Sequence, residues 1–182
     1  MDLQPACQLP TVAAQRSYDP ASVLPDSNKF LNHLVKFRDN NNREYVRVQL
    51  TAAGNEALRA LSHTPIQREV WSWPCYEFTI RVTNNEPCVK VAQIKTAHPS
   101  YVNALLTASR GIQMPNPCEH STNSLPFGGN VRLPGTFNGA CANCQWRDNA
   151  SQCTLGNRHE RQYISLNAGE IPEPSRVETL VD

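Results

Sequence analysis

The chain has few lysines, a small net charge and no long apolar run. Of its 182 residues only four are lysine, and the formal net charge is +1. A protein that binds nucleic acid without sequence preference usually carries a clear excess of positive charge, so the composition argues against that class. A run of about eighteen apolar residues, which a membrane-spanning helix needs, does not occur in the sequence.

A secretory signal is also lacking. The first residues, Met1 to Pro10, have neither a basic start nor an apolar stretch. We therefore expect an intracellular protein, nuclear or cytoplasmic, with no membrane partner and with its thiols kept reduced. Seven cysteines in such a compartment favour metal ligands and buried thiols over a disulfide framework.

The first part of the chain has little periodic pattern. Residues 1–27 contain four prolines among polar residues, which predicts a disordered tail. Apolar residues at helical spacing predict a short helix over Phe30 to Phe37. The asparagine-rich residues 38–43 are expected to form a loop.

A strand and a helix are predicted next. Glu44 to Leu50 alternates between apolar and polar residues, so Val46, Val48 and Leu50 are expected to face the core. Thr51 is expected to cap a helix that runs through Leu61.

Two more alternating stretches, Cys75 to Val82 and Cys88 to Ile94, flank the turn-forming residues 83–87. This pattern predicts a β-hairpin. Cys75 and Cys88 would then face each other across the hairpin. In a reducing compartment we interpret them as two partly buried thiols rather than a disulfide.

The character of the sequence changes after a helix that is predicted between Pro99 and Gly111. Residues 114–157 are rich in Pro, Gly, Asn, Ser and Cys, and such a stretch is either disordered or held by a metal. The acidic residues 166–182 are predicted to be a flexible tail. The fold class is therefore predicted to be α+β, with a small domain of β-hairpin and helices over residues 28–111 and a loop-rich, zinc-stapled module over residues 112–165.

Four cysteines lie in the region without apolar periodicity. Cys141 and Cys144 have the Cys-x2-Cys spacing that lets two thiolates hold one ion, and Cys153 and Cys118 lie on either side. Four thiolates would complete a tetrahedral Zn²⁺ shell, with Trp146 and Phe127 as apolar cover. The alternatives are free structural thiols, or disulfide and redox chemistry.

This region resembles a fungal cysteine-rich family of unknown function. The likeness rests on Pro117 and Cys118, on Phe127, and on Gly139-Ala140-Cys141-Ala142-Asn143-Cys144 followed by Cys153. The spacing is also similar to the two-zinc, six-cysteine cluster of fungal transcription factors, of which the chain would carry a degenerate form.

Two cysteines of that cluster are absent, because Ser121 and Asn130 stand at their positions. The resemblance implies that both missing ligands belong to the same zinc. It further implies that the four remaining cysteines form the complete shell of the other zinc. His120, next to the lost position, is an alternative ligand, although we favour a solvated loop histidine.

The same comparison bears on DNA binding. The loop that carries basic residues in the transcription-factor cluster corresponds to residues 119–130, which contain no lysine or arginine. The nearby cations that could meet phosphates are Arg132, Arg147, Arg158 and Arg161.

Catalysis finds little support in the sequence. The five histidines are scattered without the spacing of a protease or a catalytic triad, and a closed four-cysteine site leaves no position for water. We therefore expect a non-enzymatic, fungal, intracellular zinc protein that acts through an unidentified protein partner as an interaction or regulatory module. The alternative is a DNA-binding transcriptional regulator that uses a half-cluster.

Overall fold

The computed structural model describes residues 27–120 and 125–157. The predicted tails lie outside the described residues, except for Ser27. Described helices and strands confirm the mixed α+β class, in the order α1 Ser27–Phe30, β1 Leu31–Arg38, β2 Glu44–Leu50, α2 Ala52–Leu61, α3 Pro65–Trp71, β3 Phe78–Thr83, β4 Glu86–Pro87, α4 Val91–Lys95, α5 Pro99–Arg110, β5 Ile112–Gln113, β6 Val131–Arg132 and α6 Ala142–Trp146. Two short 3₁₀ helices, Phe137–Gly139 and Ala150–Gln152, flank α6.

Strands β1 to β4 form an antiparallel sheet in sequence order. Val46, Val48 and Leu50 of β2 are buried and the residues between Val46 and Leu50 alternate as expected, which confirms the predicted strand. The Thr51 hydroxyl accepts a hydrogen bond from the Gly54 N–H at 2.9 Å, so the predicted cap of α2 is also confirmed.

The predicted helix over Phe30 to Phe37 is wrong, because the chain forms strand β1 from Leu31 onwards. The strand pairs with β2 through most of its length, but the register shifts between His33 and Val35. Such a bulge inserts one residue, here Leu34, and breaks the two-residue alternation of a strand. The interrupted alternation explains why the apolar spacing looked helical.

The predicted hairpin is present but short. Asn84 and Asn85 turn the chain with φ of 52° and 61°, the left-handed conformation that asparagine tolerates in tight hairpin turns. The second strand is only Glu86–Pro87, and Val91–Lys95 is a helix rather than its predicted continuation. Five residues are too few for periodicity to separate a strand from one helical turn.

Cys75 and Cys88 are both partly buried and form no disulfide, as expected. Cys75 precedes β3, whereas the Cys88 sulfur lies 3.3 Å from the Thr83 hydroxyl at the end of β3.

Helix α5 lies at the centre of the fold and has the bounds that the sequence predicted, with Pro99 in its first turn and Gly111 at its end. Most of its residues are buried, and it packs against α3 and α6. A Cβ on Gly111 would lie 2.5 Å from the Thr107 carbonyl oxygen, so only glycine fits at this close approach.

The cysteine-rich region contributes to this same core. Phe127, Leu133, Ala142 and Trp146 join the main apolar cluster, and the Trp146 ring lies 4.6 Å from that of Tyr101 on α5. The absence of apolar periodicity in this stretch therefore did not indicate that these four residues contribute to the core. The predicted domain limits stay predictions. Among the described residues, no helix has the length and apolar character that crossing a membrane requires.

Candidate metal centre

The structure brings four cysteine side chains to one point. The Sγ atoms of Cys118, Cys141, Cys144 and Cys153 all lie within 4.8 Å of one another. The Cys118 sulfur is 3.7 Å from that of Cys144 and 3.8 Å from that of Cys153. All four residues are buried, with exposures of 0% to 3%.

Three short segments place these sulfurs. Cys141 is the residue immediately before α6 and Cys144 lies within it, so a single turn of backbone presents two thiols to the same side. Cys153 follows the second 3₁₀ helix, and Cys118 comes from the loop after β5. Gly139 has φ of 65°, and a Cβ there would collide with the Asn157 side chain, so glycine is required just before the Cys141 knuckle.

Hydrogen bonds reach the sulfurs from the surrounding chain. The Cys141 backbone N–H donates to the Cys153 sulfur at 3.3 Å. The Thr154 hydroxyl donates to the Cys118 sulfur at 3.5 Å and accepts from the Glu119 N–H at 3.1 Å. Donors of this kind orient thiolate ligands and partly offset their negative charge.

Two asparagines hold the segments that carry the cysteines, and sequence reasoning assigned a role to neither. The Asn143 amide, buried on α6, bonds to both the N–H and the carbonyl of Phe127 at 3.0 Å and to the Gly129 carbonyl at 3.2 Å. Asn130, at the position of a missing cysteine, accepts from the Cys118 N–H at 3.2 Å. Asn130 therefore supports a cysteine rather than replacing one as a ligand.

The thiols have unequal pKa values in the absence of metal. Hydrogen bonds from Cys141 and Cys144 lower the pKa of Cys153 to about 2. Hydrogen bonding to Cys141 and Cys153, together with burial, raises the pKa of Cys144. Cys144 lowers the pKa of Cys141, but the bond to Cys153 and burial outweigh it and raise that pKa to about 12. The cluster thus favours one thiolate surrounded by thiol donors.

The geometry fits a tetrahedral metal ion. A tetrahedron with metal–sulfur bonds of about 2.3 Å has edges of about 3.8 Å, close to the two measured Sγ–Sγ distances. A disulfide has a bond of about 2.05 Å, and the four cysteines are unbonded. The cluster is buried with Ala140 and packed against Ala150 and Leu155, so apolar side chains surround the sulfurs.

Other residues that the sequence placed near the site have different surroundings. His120 is not among the residues whose ligand atoms converge with the four sulfurs. Trp146 and Phe127 belong to the main core, with rings 5.6 Å apart, rather than to the small cluster around the cysteines.

Two of the four candidate nucleic-acid contacts, Arg132 and Arg147, lie among the described residues, and they differ in exposure. Arg132 is 7% exposed and donates from Nη1 to the Leu155 carbonyl at 2.5 Å, while its backbone pairs with Cys141. Arg147 is exposed after α6. Arg158 and Arg161 lie outside the described residues. The sequence alone does not distinguish a buried arginine from an exposed one among these four.

One comparison with known proteins finds a match in the part of the chain that contains the four cysteines. A family model described as "Protein of unknown function (DUF3716)" matches residues 104–156, a span that contains all four converging cysteines. A search of curated proteins found no match to the chain, and neither did a search of solved structures. The chain is thus similar to a family of unknown function over the second half of α5 and the cysteine cluster.

Proposed function

We propose that the four cysteines hold one structural Zn²⁺ and that the protein is a non-enzymatic interaction or regulatory module. The observation that carries this proposal is the convergence of four buried sulfurs within 4.8 Å of one another. Two of the Sγ–Sγ distances, 3.7 and 3.8 Å, match the edge of a zinc–thiolate tetrahedron. Thiolates are the preferred ligands of Zn²⁺ in structural sites, and hydrogen-bond donors already face two of the sulfurs.

A structural role follows from the closed ligand set. Four protein ligands leave no position for water or substrate, whereas catalytic zinc sites keep one open. The metal would tie Cys118 to the knuckle at α6 and so fix a loop-rich segment against α5. An intracellular location, nuclear or cytoplasmic, belongs to this proposal because the ligands must stay reduced, and so does the fungal origin that the sequence resemblance implies.

A DNA-binding role receives less support than a protein-interaction role. The guanidinium of Arg132 is buried against Leu155, so it is not placed to meet a phosphate. No described residue favours DNA as a partner over protein.

Native mass spectrometry of the purified full chain tests the metal. We expect a mass increase of one Zn²⁺ per chain, lost when the protein is denatured at low pH. Thiol labelling of the native protein should spare the four converging cysteines while the partly exposed Cys75 and Cys88 react. A chain that carries no metal and whose cysteines all react at similar rates contradicts the proposal.

A further inference from the structure

Strand β1 is the edge of the described sheet and is exposed along nearly its whole length. Only its first residue, Leu31, is buried. Leu34, Val35 and Phe37 are 42%, 54% and 39% exposed, and they are half of the large exposed apolar residues in the described chain. An edge strand offers a row of backbone N–H and C=O groups to another strand.

The two faces of β1 differ in chemistry beyond the bulge. Val35 and Phe37 lie opposite Arg47 and Tyr45 and share one face. Lys36 and Arg38 alternate with them and share the other face. The strand therefore presents an apolar stripe on one side and a basic stripe on the other.

The basic stripe carries more positive charge than its partners neutralise. Lys36 and Arg38 share a single carboxylate, Glu44, each at 2.8 Å. Their side chains are still 46% and 58% exposed. Lys36 also donates to the Asn85 Oδ1 atom at 3.0 Å, and Arg38 donates to the Asn42 Oδ1 atom at 2.9 Å. Because these partners are neutral amides, net positive charge remains on this face of β1.

These charges disfavour a second copy of the chain as the occupant of the edge. Antiparallel registers that pair Lys36 with Lys36 or with Arg38 of the other copy put two cations opposite each other. The register that pairs Val35 with Arg38 and Lys36 with Phe37 puts each cation opposite an apolar side chain instead of a carboxylate. Like charges directly opposite on neighbouring strands are destabilising. An acidic partner meets the same positions favourably, and apolar partner residues then fall opposite Val35 and Phe37.

We infer that the edge of β1, with which no described strand other than β2 pairs, binds an extended segment of a partner protein in which acidic and apolar residues alternate. The segment adds a strand to the sheet, with main-chain hydrogen bonds providing affinity and the side-chain alternation providing selectivity. This inference rests on the proposed function in one respect, since it names the class of partner for the interaction module.

Synthetic peptides as long as β1 test the inference on the zinc-loaded full chain. A fluorescein-labelled peptide of alternating glutamate and valine should bind in an anisotropy titration and shift the amide resonances of β1. A peptide of alternating lysine and valine should bind at least about tenfold more weakly. N-methylation of alternate amides in the glutamate peptide should abolish binding, because it removes the edge hydrogen bonds.

Protein variants test whether the peptides bind at β1 rather than elsewhere on the surface. Lys36→Glu should weaken binding of the glutamate peptide about tenfold and improve binding of the lysine peptide. Val35→Thr keeps a strand-forming residue and should weaken binding of the glutamate peptide through loss of apolar contact. Arg68→Glu, the same charge change at an exposed position of α3, should leave binding of both peptides unchanged.

Equal binding of the two peptides, no effect of N-methylation, or no binding overturns the inference. If sedimentation shows a dimer and Lys36→Glu changes its stability, a second copy of the chain occupies the edge. That result would also overturn the inference. If the chain carries zinc but binds neither peptide, only this inference is contradicted. A chain that binds the glutamate peptide but carries no zinc contradicts the proposed metal site alone.

Discussion

The side chain of Asn143 pairs with the backbone of Phe127 as a neighbouring strand would, accepting from its N–H and donating to its carbonyl, both at 3.0 Å. Asn143 lies between the two cysteines of the α6 knuckle, and Phe127 lies in the main core. The pair therefore couples the cysteine cluster to the core of the fold.

Replacing Asn143 by alanine should destabilise the protein by about 2–4 kcal/mol, because two buried hydrogen bonds to Phe127 and a partly buried one to Gly129 are lost and Phe127 keeps unpaired backbone groups. Urea denaturation measures the free energy of unfolding. Asn41→Ala, at an exposed loop position, is the matched control and should change that free energy by less than about 0.5 kcal/mol. Equal effects of the two substitutions would contradict the assigned role of Asn143.

The role of Asn143 could not be predicted from the sequence. The spacing of Cys141, Cys144 and Cys153 was readable because zinc ligands recur at short intervals. An asparagine within that spacing looks like an ordinary turn residue, and its buried contact with Phe127 spans residues that only the fold brings together.

Strand β1 is a second feature that the sequence pattern did not predict. Strands β2 and β3 and helices α2 and α5 follow from alternation and capping residues, as at Thr51 and Pro99. Helix α3 was not predicted, and α4 lies where a strand was expected. The bulge at Leu34 removes the alternation on which such reasoning depends, so the pairing of β1 with β2 decides its conformation instead.

Cys144→Ser should abolish stable zinc binding, because a serine hydroxyl is a poor ligand for Zn²⁺ and three thiolates leave the shell open. We expect less than one zinc per chain by elemental analysis and a loss of several kcal/mol of stability, since metal binding and folding are coupled. Cys88→Ser, which removes a thiol outside the cluster, should retain one zinc. Full zinc content in the Cys144→Ser protein would show that the metal binds elsewhere.

Zinc affinity should fall steeply as the pH is lowered. In the metal-free cluster Cys153 is already a thiolate, because its pKa is lowered to about 2. Cys141 and Cys144 have raised pKa values and keep their protons at neutral pH, so zinc must displace both. Each proton released on binding changes the dissociation constant about tenfold for each pH unit, so displacement from Cys141 and Cys144 changes it by at least about 100-fold.

Competition with a chromophoric chelator at several pH values measures this slope, and calorimetry in buffers of different ionisation enthalpy counts the protons independently. An affinity that does not change between neutral and mildly alkaline pH would contradict the protonation of Cys141 and Cys144. Cobalt(II) provides a second readout, because a tetrahedral thiolate site gives intense visible bands that should disappear on acidification.

Arg132→Met tests whether the arginine at β6 is structural or contacts DNA. The substitution keeps an apolar stem but removes the bond from Nη1 to the Leu155 carbonyl, so we expect a loss of about 1–3 kcal/mol of stability. Arg147→Ala, at an exposed position, should cost less than about 0.5 kcal/mol. Both proteins are compared by urea denaturation and by binding to mixed-sequence duplex DNA at physiological salt. If Arg132 contacted phosphate, its replacement would weaken DNA binding with little change in stability; the burial of its side chain predicts the opposite.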